Sequence, residues 1–190
     1  MKTKNLSTLY IIRHGETDWN AGRLVLGQKN APILTPAGLN QARDLKKKLN
    51  KIKFSAAYSS GLKRTNQTAE IVLKGRNIKI NASKALLERN YGKFEGKPAE
   101  YYEKAMEKRF EKRNKLIDLA RMKFKPAPDV ESDYQVFIRF SKKLKDIAKK
   151  HKGGNILIAT HGGCIRTFLV GNSFAQHHQL PKNNLLFGDY

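Results

Sequence analysis

Two histidines stand at matched places in this chain. Leu9-Tyr10-Ile11-Ile12 is an apolar run that stops at Arg13-His14-Gly15-Glu16-Thr17, and Asn155-Ile156-Leu157-Ile158-Ala159 stops at Thr160-His161-Gly162-Gly163. A neutral imidazole is a nucleophile near pH 7. Arg13 sits beside the first histidine. Arg64 falls near the start of a helix expected over Leu62–Leu73, where free N–H groups and the positive end of the helix dipole favour an anion. Guanidinium forks match phosphate oxygens, and a carboxylic acid can protonate a departing oxygen. Two imidazoles, two guanidiniums and one carboxylic acid thus suit phosphoryl transfer without a metal, the second imidazole acting as an imidazolium beside the arginines. A histidine at a strand end can equally be a hydrogen-bonded structural residue, and an arginine beside it a surface cation. The repeated His-Gly context, in which Gly15 and Gly162 leave room for close approach, favours chemistry.

Those residues need elements to hold them. Apolar, β-branched runs bounded by glycine read as strands buried on both faces of a parallel sheet, and ligands bind at the carboxyl ends of such strands. Thr35-Pro36 reads as an N-cap followed by proline in the first helical turn, with Leu39, Ala42, Leu45 and Leu49 at helical spacing behind it. Short strands are expected at Phe54–Tyr58 and Ile78–Ile80, a structured loop at Leu86–Gly96, and a polar loop over the strand end at Ala21–Ala31. Ala99–Met122 reads as helical and heavily charged, with Tyr102, Met106, Phe110 and Leu116 or Ile117 as its sparse apolar side. Asp133–Lys150 carries a fuller stripe of Val136, Phe137, Phe140, Leu144, Ile147 and Ala148. A helix from about Cys164 to Val170 and a last strand at Asn183–Phe187 complete the pattern. Alternating strands and helices predict an α/β protein, a three-layer α/β/α sandwich with a mainly parallel central sheet. The 190 residues are expected to form one domain, with a helical insertion at about 99–129.

Composition removes several function classes. No apolar run approaches the ~20 residues that span a bilayer, and the first residues lack the long apolar region of a secretory signal. Cys164 is the single cysteine, which excludes an internal disulfide framework and fits a reducing compartment; the expected setting is the cytoplasm, in soluble form. No metal site is expected: His177-His178 lack cysteine or carboxylate partners at ligand spacing. The phosphate-cradling and dinucleotide-binding glycine loops are absent, as is the GxSxG elbow, and no cofactor is expected. The chain carries 38 Lys+Arg against 16 Asp+Glu, formally +22. That field attracts phosphorylated substrates and nucleic acid alike. The lysines are spread over helical faces, so nucleic-acid contact is expected only non-specifically.

Four segments in order, Arg13-His14-Gly15-Glu16-Thr17 with Asn20, Ser59-Ser60-Gly61-Leu62-Lys63-Arg64-Thr65, Glu88-Arg89-Asn90-Tyr91-Gly92 and Thr160-His161-Gly162-Gly163, together resemble the histidine phosphatase superfamily, with its phosphoglycerate mutase-like fold. The resemblance covers nearly the whole chain. It implies that His14 forms a phosphohistidine, that Arg13, Arg64 and His161 hold the phosphoryl group, and that Thr17, Asn20 and Gly162 assist in substrate binding. Glu88 is then the general acid, with Glu16 a lesser alternative and Glu95 structural. The chain departs from the family pattern at Asn30, Ile33 and Val130, changes expected around the pocket mouth, where they would bear on substrate identity. A small phosphorylated substrate is implied, without a membrane partner. The resemblance favours the phosphatase branch over a mutase. A basic phosphate- or nucleic-acid-binding protein on the same scaffold is the alternative of another class.

Overall fold

The computed structural model describes residues 6–175. Four strands, β1 (Thr8–Arg13), β2 (Phe54–Ser59), β3 (Ile80–Ala82) and β4 (Asn155–Thr160), form one sheet in the order β1-β4-β2-β3. Every pairing is parallel. β1 and β4 run in register from Thr8↔Asn155 to Arg13↔Thr160, so their carboxyl ends deliver His14 and His161 side by side. The expected third strand is displaced: Ile78 turns back onto Arg76 through a backbone bond, and pairing starts at Ile80. The expected strand at Asn183–Phe187 lies outside the described residues.

Helices α2 (Pro36–Lys48), α3 (Lys63–Leu73), α6 (Asp133–Lys150) and α7 (Gly162–Gly171) pack on the sheet. Ile156 and Ile158 point into a core with Val136, Phe140, Leu144 and Ile147 of α6. Leu157 and Ala159, alternating with them, meet Ala69, Val72 and Leu73 of α3. Two buried faces on one strand explain its unbroken apolar run, and the result is the expected three-layer α/β/α sandwich. A third apolar cluster, Val25, Phe94, Tyr102, Met106, Ala127 and Val130, lies beside the sheet and takes in the helical stretch that starts at Ala99. Among the described residues no helix is long and apolar enough to cross a membrane.

The helical stretch expected over Ala99–Met122 is not continuous. It breaks into α4 (Ala99–Asn114) and α5 (Asp118–Lys123). The apolar side of α4 stops at Phe110, leaving nothing to bury in a further turn. The break lets Arg113 reach Asp133 (2.8 Å) and Arg121 reach the Asn114 side chain (3.3 Å). Ile117 at the break is 76% exposed rather than on an apolar face.

One close approach fixes the signature loop. A Cβ on Gly15 would lie 2.5 Å from the Gly38 carbonyl oxygen, and one on Gly38 would lie 2.1 Å from that of Glu16. Only two residues without side chains allow the end of β1 to meet the first turn of α2 backbone to backbone. Thr35 caps α2, its hydroxyl accepting from the Gly38 N–H (3.0 Å) and donating to the Glu16 carboxylate (2.8 Å). Glu16 is thereby a structural carboxylate, turned toward the cap of α2.

Candidate active site

His14 follows β1 and keeps the ladder going through a bond from its N–H to the Thr160 carbonyl (3.1 Å). Its ring is 3% exposed. Nδ1 lies 2.7 Å from the Gly15 carbonyl oxygen. A carbonyl only accepts, so Nδ1 carries the proton and Nε2 holds the free lone pair. Burial first, then the Arg64 and Arg13 charges, pushes His14 well below the usual histidine range, with the Gly15 bond opposing. The ring is therefore neutral at pH 7.

His161 is the N-cap residue of α7 and is fully buried. Its ring meets that of His14 edge to face, with centroids 5.2 Å apart. Arg64 Nη2 donates to His161 Nδ1 (3.4 Å), so the ring proton sits on Nε2, which donates to Ser60 Oγ (2.9 Å). Ser60 in turn donates to Thr65 Oγ1 (2.8 Å), and Thr65 donates to the Leu62 carbonyl (2.8 Å). The guanidinium at one end and the carbonyl at the other impose the same polarity on the whole chain of bonds. Burial and Arg64 hold His161 well below the usual range. The expected imidazolium is thus corrected to a neutral imidazole that accepts from Arg64.

Arg64 extends inward from the first turn of α3 and is fully buried. It donates to the carbonyls of Lys29 (2.8 Å) and Gly27 (2.7 Å), pinning the loop that crosses the strand ends. Its Nε is buried with no hydrogen-bond partner. Burial brings the guanidinium down to about 10, against pull from Glu88 and Glu95, and it stays cationic at neutral pH. Arg13, half-buried at the end of β1, makes no hydrogen bond or ion pair with a described residue. Two guanidiniums with donors to offer beside a free imidazole lone pair form an anion site.

Glu88 reaches the same place from the loop after the turn Lys84–Leu86. Its carboxylate accepts from the Arg89 N–H (2.7 Å) and from the Gly163 N–H in the first turn of α7 (3.1 Å). α7 starts at Gly162, two residues earlier than expected, since the Ile165 N–H already donates to the His161 carbonyl (3.2 Å), and both glycines sit in tight quarters. A Cβ at Gly163 would lie 2.2 Å from Glu88 Oε1, and one at Gly162 would press on Arg13 Nε at 3.4 Å. Glu95 is structural as expected, accepting from the N–H groups of Gln28 and Tyr91 (both 3.0 Å).

Arg13, His14, Asn20, Arg64 and Glu88 line an open cavity of about 2180 Å³. His161 stands behind them without reaching its wall. Thr17 is placed elsewhere than expected: fully buried, its hydroxyl caps α1 (Asp18–Ala21) in a reciprocal pair with Asn20. Asn30, Ile33 and Val130 also miss the pocket mouth. Asn30 accepts from the Lys63 N–H (2.7 Å) at the start of α3, Ile33 bonds Asp18, and Val130 is buried among Tyr102, Met106 and Phe94. The same cavity is also lined by Glu100, Glu103 and Glu107 of α4 and by Arg113, Arg121 and Arg166. The three glutamates fall at helical spacing, a sign readable in a chain so poor in acids. The arginines, spread over three elements, left none.

Cys164 is a buried thiol donating to the Leu87 carbonyl (2.9 Å), and burial pushes it up to about 12. This is the behaviour of a small core residue, not of a reactive thiol. His177 and His178 lie outside the described residues. Among the described residues, no three His, Cys, Asp or Glu side chains are grouped to hold a metal ion.

The chain is similar to known proteins along most of its length. The Arabidopsis thaliana phosphoglycerate mutase-like protein 4 is 35% identical over 161 residues, 84% of this chain and 68% of that protein. The Arabidopsis thaliana metal-independent phosphoserine phosphatase is 33% identical over 167 residues, 87% of this chain and 68% of that protein. A crystal structure of phosphoglycerate mutase from Bacillus anthracis str. Sterne superposes with a TM-score of 0.79 at 29% identity, covering 90% of this chain and 82% of that one. Residues 9–184 match the histidine phosphatase superfamily (branch 1). Relatives of this kind are phosphatases or mutases, both of which transfer phosphoryl groups. The chain belongs to the histidine phosphatase superfamily, with its phosphoglycerate mutase-like fold.

Proposed function

We propose that this chain is a metal-independent phosphomonoester hydrolase that acts on small phosphorylated metabolites through a phosphohistidine on His14. The observation that carries the reading is the His14 tautomer: the Gly15 carbonyl accepts a hydrogen bond from Nδ1–H and leaves the Nε2 lone pair of a neutral ring as the nucleophile at the cavity wall. Nε2 attacks phosphorus while the bond to the leaving oxygen breaks, and that oxygen takes its electron pair and a proton from Glu88. Arg13 and Arg64 balance the charge on the remaining phosphoryl oxygens, with Asn20 beside them. Water then attacks the phosphohistidine, giving its proton to the Glu88 carboxylate, and the P–N electron pair returns to Nε2. His161 supports Arg64 from behind through its Nδ1. The open cavity supports hydrolysis, since water must reach the intermediate.

A mutase is the second reading, favoured by the likeness to the Bacillus anthracis enzyme. The net charge of +22 adds at most non-specific attraction to nucleic acid. The test is phosphate release from a panel of phosphomonoesters, phosphoserine and 3-phosphoglycerate included, in EDTA, for wild type and His14→Ala. Release that survives EDTA and is lost in the variant is the expected result. Release that persists in His14→Ala, or that EDTA abolishes, overturns the mechanism. Conversion of 3-phosphoglycerate only in the presence of its bisphosphate primer assigns the chain to the mutases.

A further inference from the structure

The proposed acid is carried by a segment with little regular structure of its own. Glu88 lies between two single turns of 3₁₀ helix, Lys84–Leu86 and Gly92–Phe94, so its neighbours' carbonyls have no strand ladder to join. Such groups need partners when taken from water. Arg139 of α6 supplies them. A guanidinium has five N–H donors, and here all five are engaged. Nε and one Nη2 hydrogen hold the Glu131 carboxylate, both at 2.9 Å. Nη1 donates to the carbonyls of Ala85 (3.1 Å) and Leu87 (2.6 Å), and the other Nη2 hydrogen donates to that of Glu88 (3.0 Å).

Glu131 grips the far side of the acid. Its Oε2 accepts from the Asn90 N–H (2.8 Å), and its own N–H donates to the Asn90 carbonyl (3.0 Å). Thr160 and Cys164 take the carbonyls of Leu86 and Leu87 (2.8 and 2.9 Å). From Ala85 to Asn90 the backbone is therefore tied to α6, β4 and α7, the last two being the elements next to His161. The free end of the Glu88 side chain then meets the Gly163 N–H. The pair sits below the acid and away from the cavity wall, where it touches no substrate.

We infer that Arg139, paired with Glu131, is a positioning residue for Glu88, fixing the backbone from which the carboxylic acid addresses the leaving oxygen. The inference rests on the reading of Glu88 as the general acid. Lysine keeps the charge at this position but offers a single point in place of a planar fork, so it cannot hold a carboxylate and three carbonyls together.

The experiment compares wild type, Arg139→Lys, Glu131→Gln and Glu88→Gln on two substrates, nitrophenyl phosphate and an alkyl phosphate such as glycerol phosphate. The nitrophenolate leaves without a proton, whereas the alkoxide does not. Arg139→Lys is expected to lower kcat on the alkyl ester about 10- to 100-fold, as a displacement near 1 Å of a reacting group does. On nitrophenyl phosphate the loss should stay within about threefold, with KM little changed on either, because the acid is not needed there. Glu131→Gln should move the same ratio in the same direction by less, and it carries the test alone if Arg139→Lys melts before assay temperature. Equal losses on both substrates, or none on either, overturn the inference while a substrate-dependent loss in Glu88→Gln leaves the acid reading standing. Equal losses in Glu88→Gln itself overturn the acid reading, and the inference falls with it.

Discussion

Two neutral histidines buried against two arginines make the stability of this protein sensitive to mild acid. In the folded chain burial and the neighbouring guanidiniums hold both His14 and His161 well below the usual range, whereas in the unfolded chain each titrates near 6.5. Below about pH 6.5 the unfolded state therefore binds more protons than the folded one, and stability falls as pH falls. A histidine that stays neutral when folded forfeits RT ln(1 + 10^(6.5−pH)), which comes to about 2 kcal/mol between pH 7 and pH 5. The pair forfeits up to about 4 kcal/mol, a large part of the 5–15 kcal/mol that holds a domain together. For a chain of this size that is a fall in Tm on the order of 8–15 °C. Glu131, which Arg139 holds below the usual carboxylate range against the opposing effect of burial, gives stability that is lost only below about pH 4.5, so the window from 7 to 5 isolates the histidines. Urea unfolding at half-unit steps of pH gives the slope directly. His14→Asn and His161→Asn should each remove about half of it. A flat profile between pH 7 and 5, or a slope unchanged in both variants, would refute the assignment of neutral rings.

Two further outcomes follow from the same geometry. Gly163→Ala places a Cβ 2.2 Å from Glu88 Oε1, and the end of a flexible side chain can retreat by roughly 1 Å; kcat on alkyl phosphates should fall about 100-fold, with Tm within a few degrees of wild type, since a helical Gly→Ala change offsets the lost bond. Unchanged turnover of the alkyl ester would show that Glu88 is not held there. Ser60→Ala removes the acceptor of the His161 Nε2 proton, and loss of that bond should lower kcat/KM about tenfold through Arg64; Ser60→Thr, which keeps the hydroxyl, should recover most of it, and no recovery would count against the bonded chain.

What the amino-acid order disclosed was whatever is written locally. Apolar runs ending in Arg13-His14-Gly15 and Thr160-His161-Gly162 announce strands and the chemistry at their ends, because burial on both faces demands uninterrupted apolar residues. Contacts between distant segments left no such trace. The bond from His161 to Ser60 spans 101 positions, and its consequence, a neutral ring where an imidazolium was expected, depends on burial that only the folded chain shows. Thr17 looked like a substrate contact beside the nucleophile, yet capping α1 satisfies its hydroxyl first. Arg139 reads as an ordinary polar interruption at the edge of the α6 stripe, and only the fold brings it to residues 85–88. The break after Asn114 was hidden for the opposite reason: local propensity favoured one helix, and tertiary bonding of Arg113 and Arg121 favoured two.

The meeting of Gly15 with Gly38 bears on how this protein can vary. The atoms that a new methyl group would strike belong to the main chain, and no second-site substitution can trim a carbonyl. Randomising the residues around either glycine should therefore yield no suppressors of a Gly15→Ala or Gly38→Ala defect. Contacts made by side chains, such as Glu88 against Gly163, leave a compensating route open. The corner that aims His14 is a dead end for sequence drift, while the part of the cavity lined by side chains of α4 and α5 remains free to acquire new substrates.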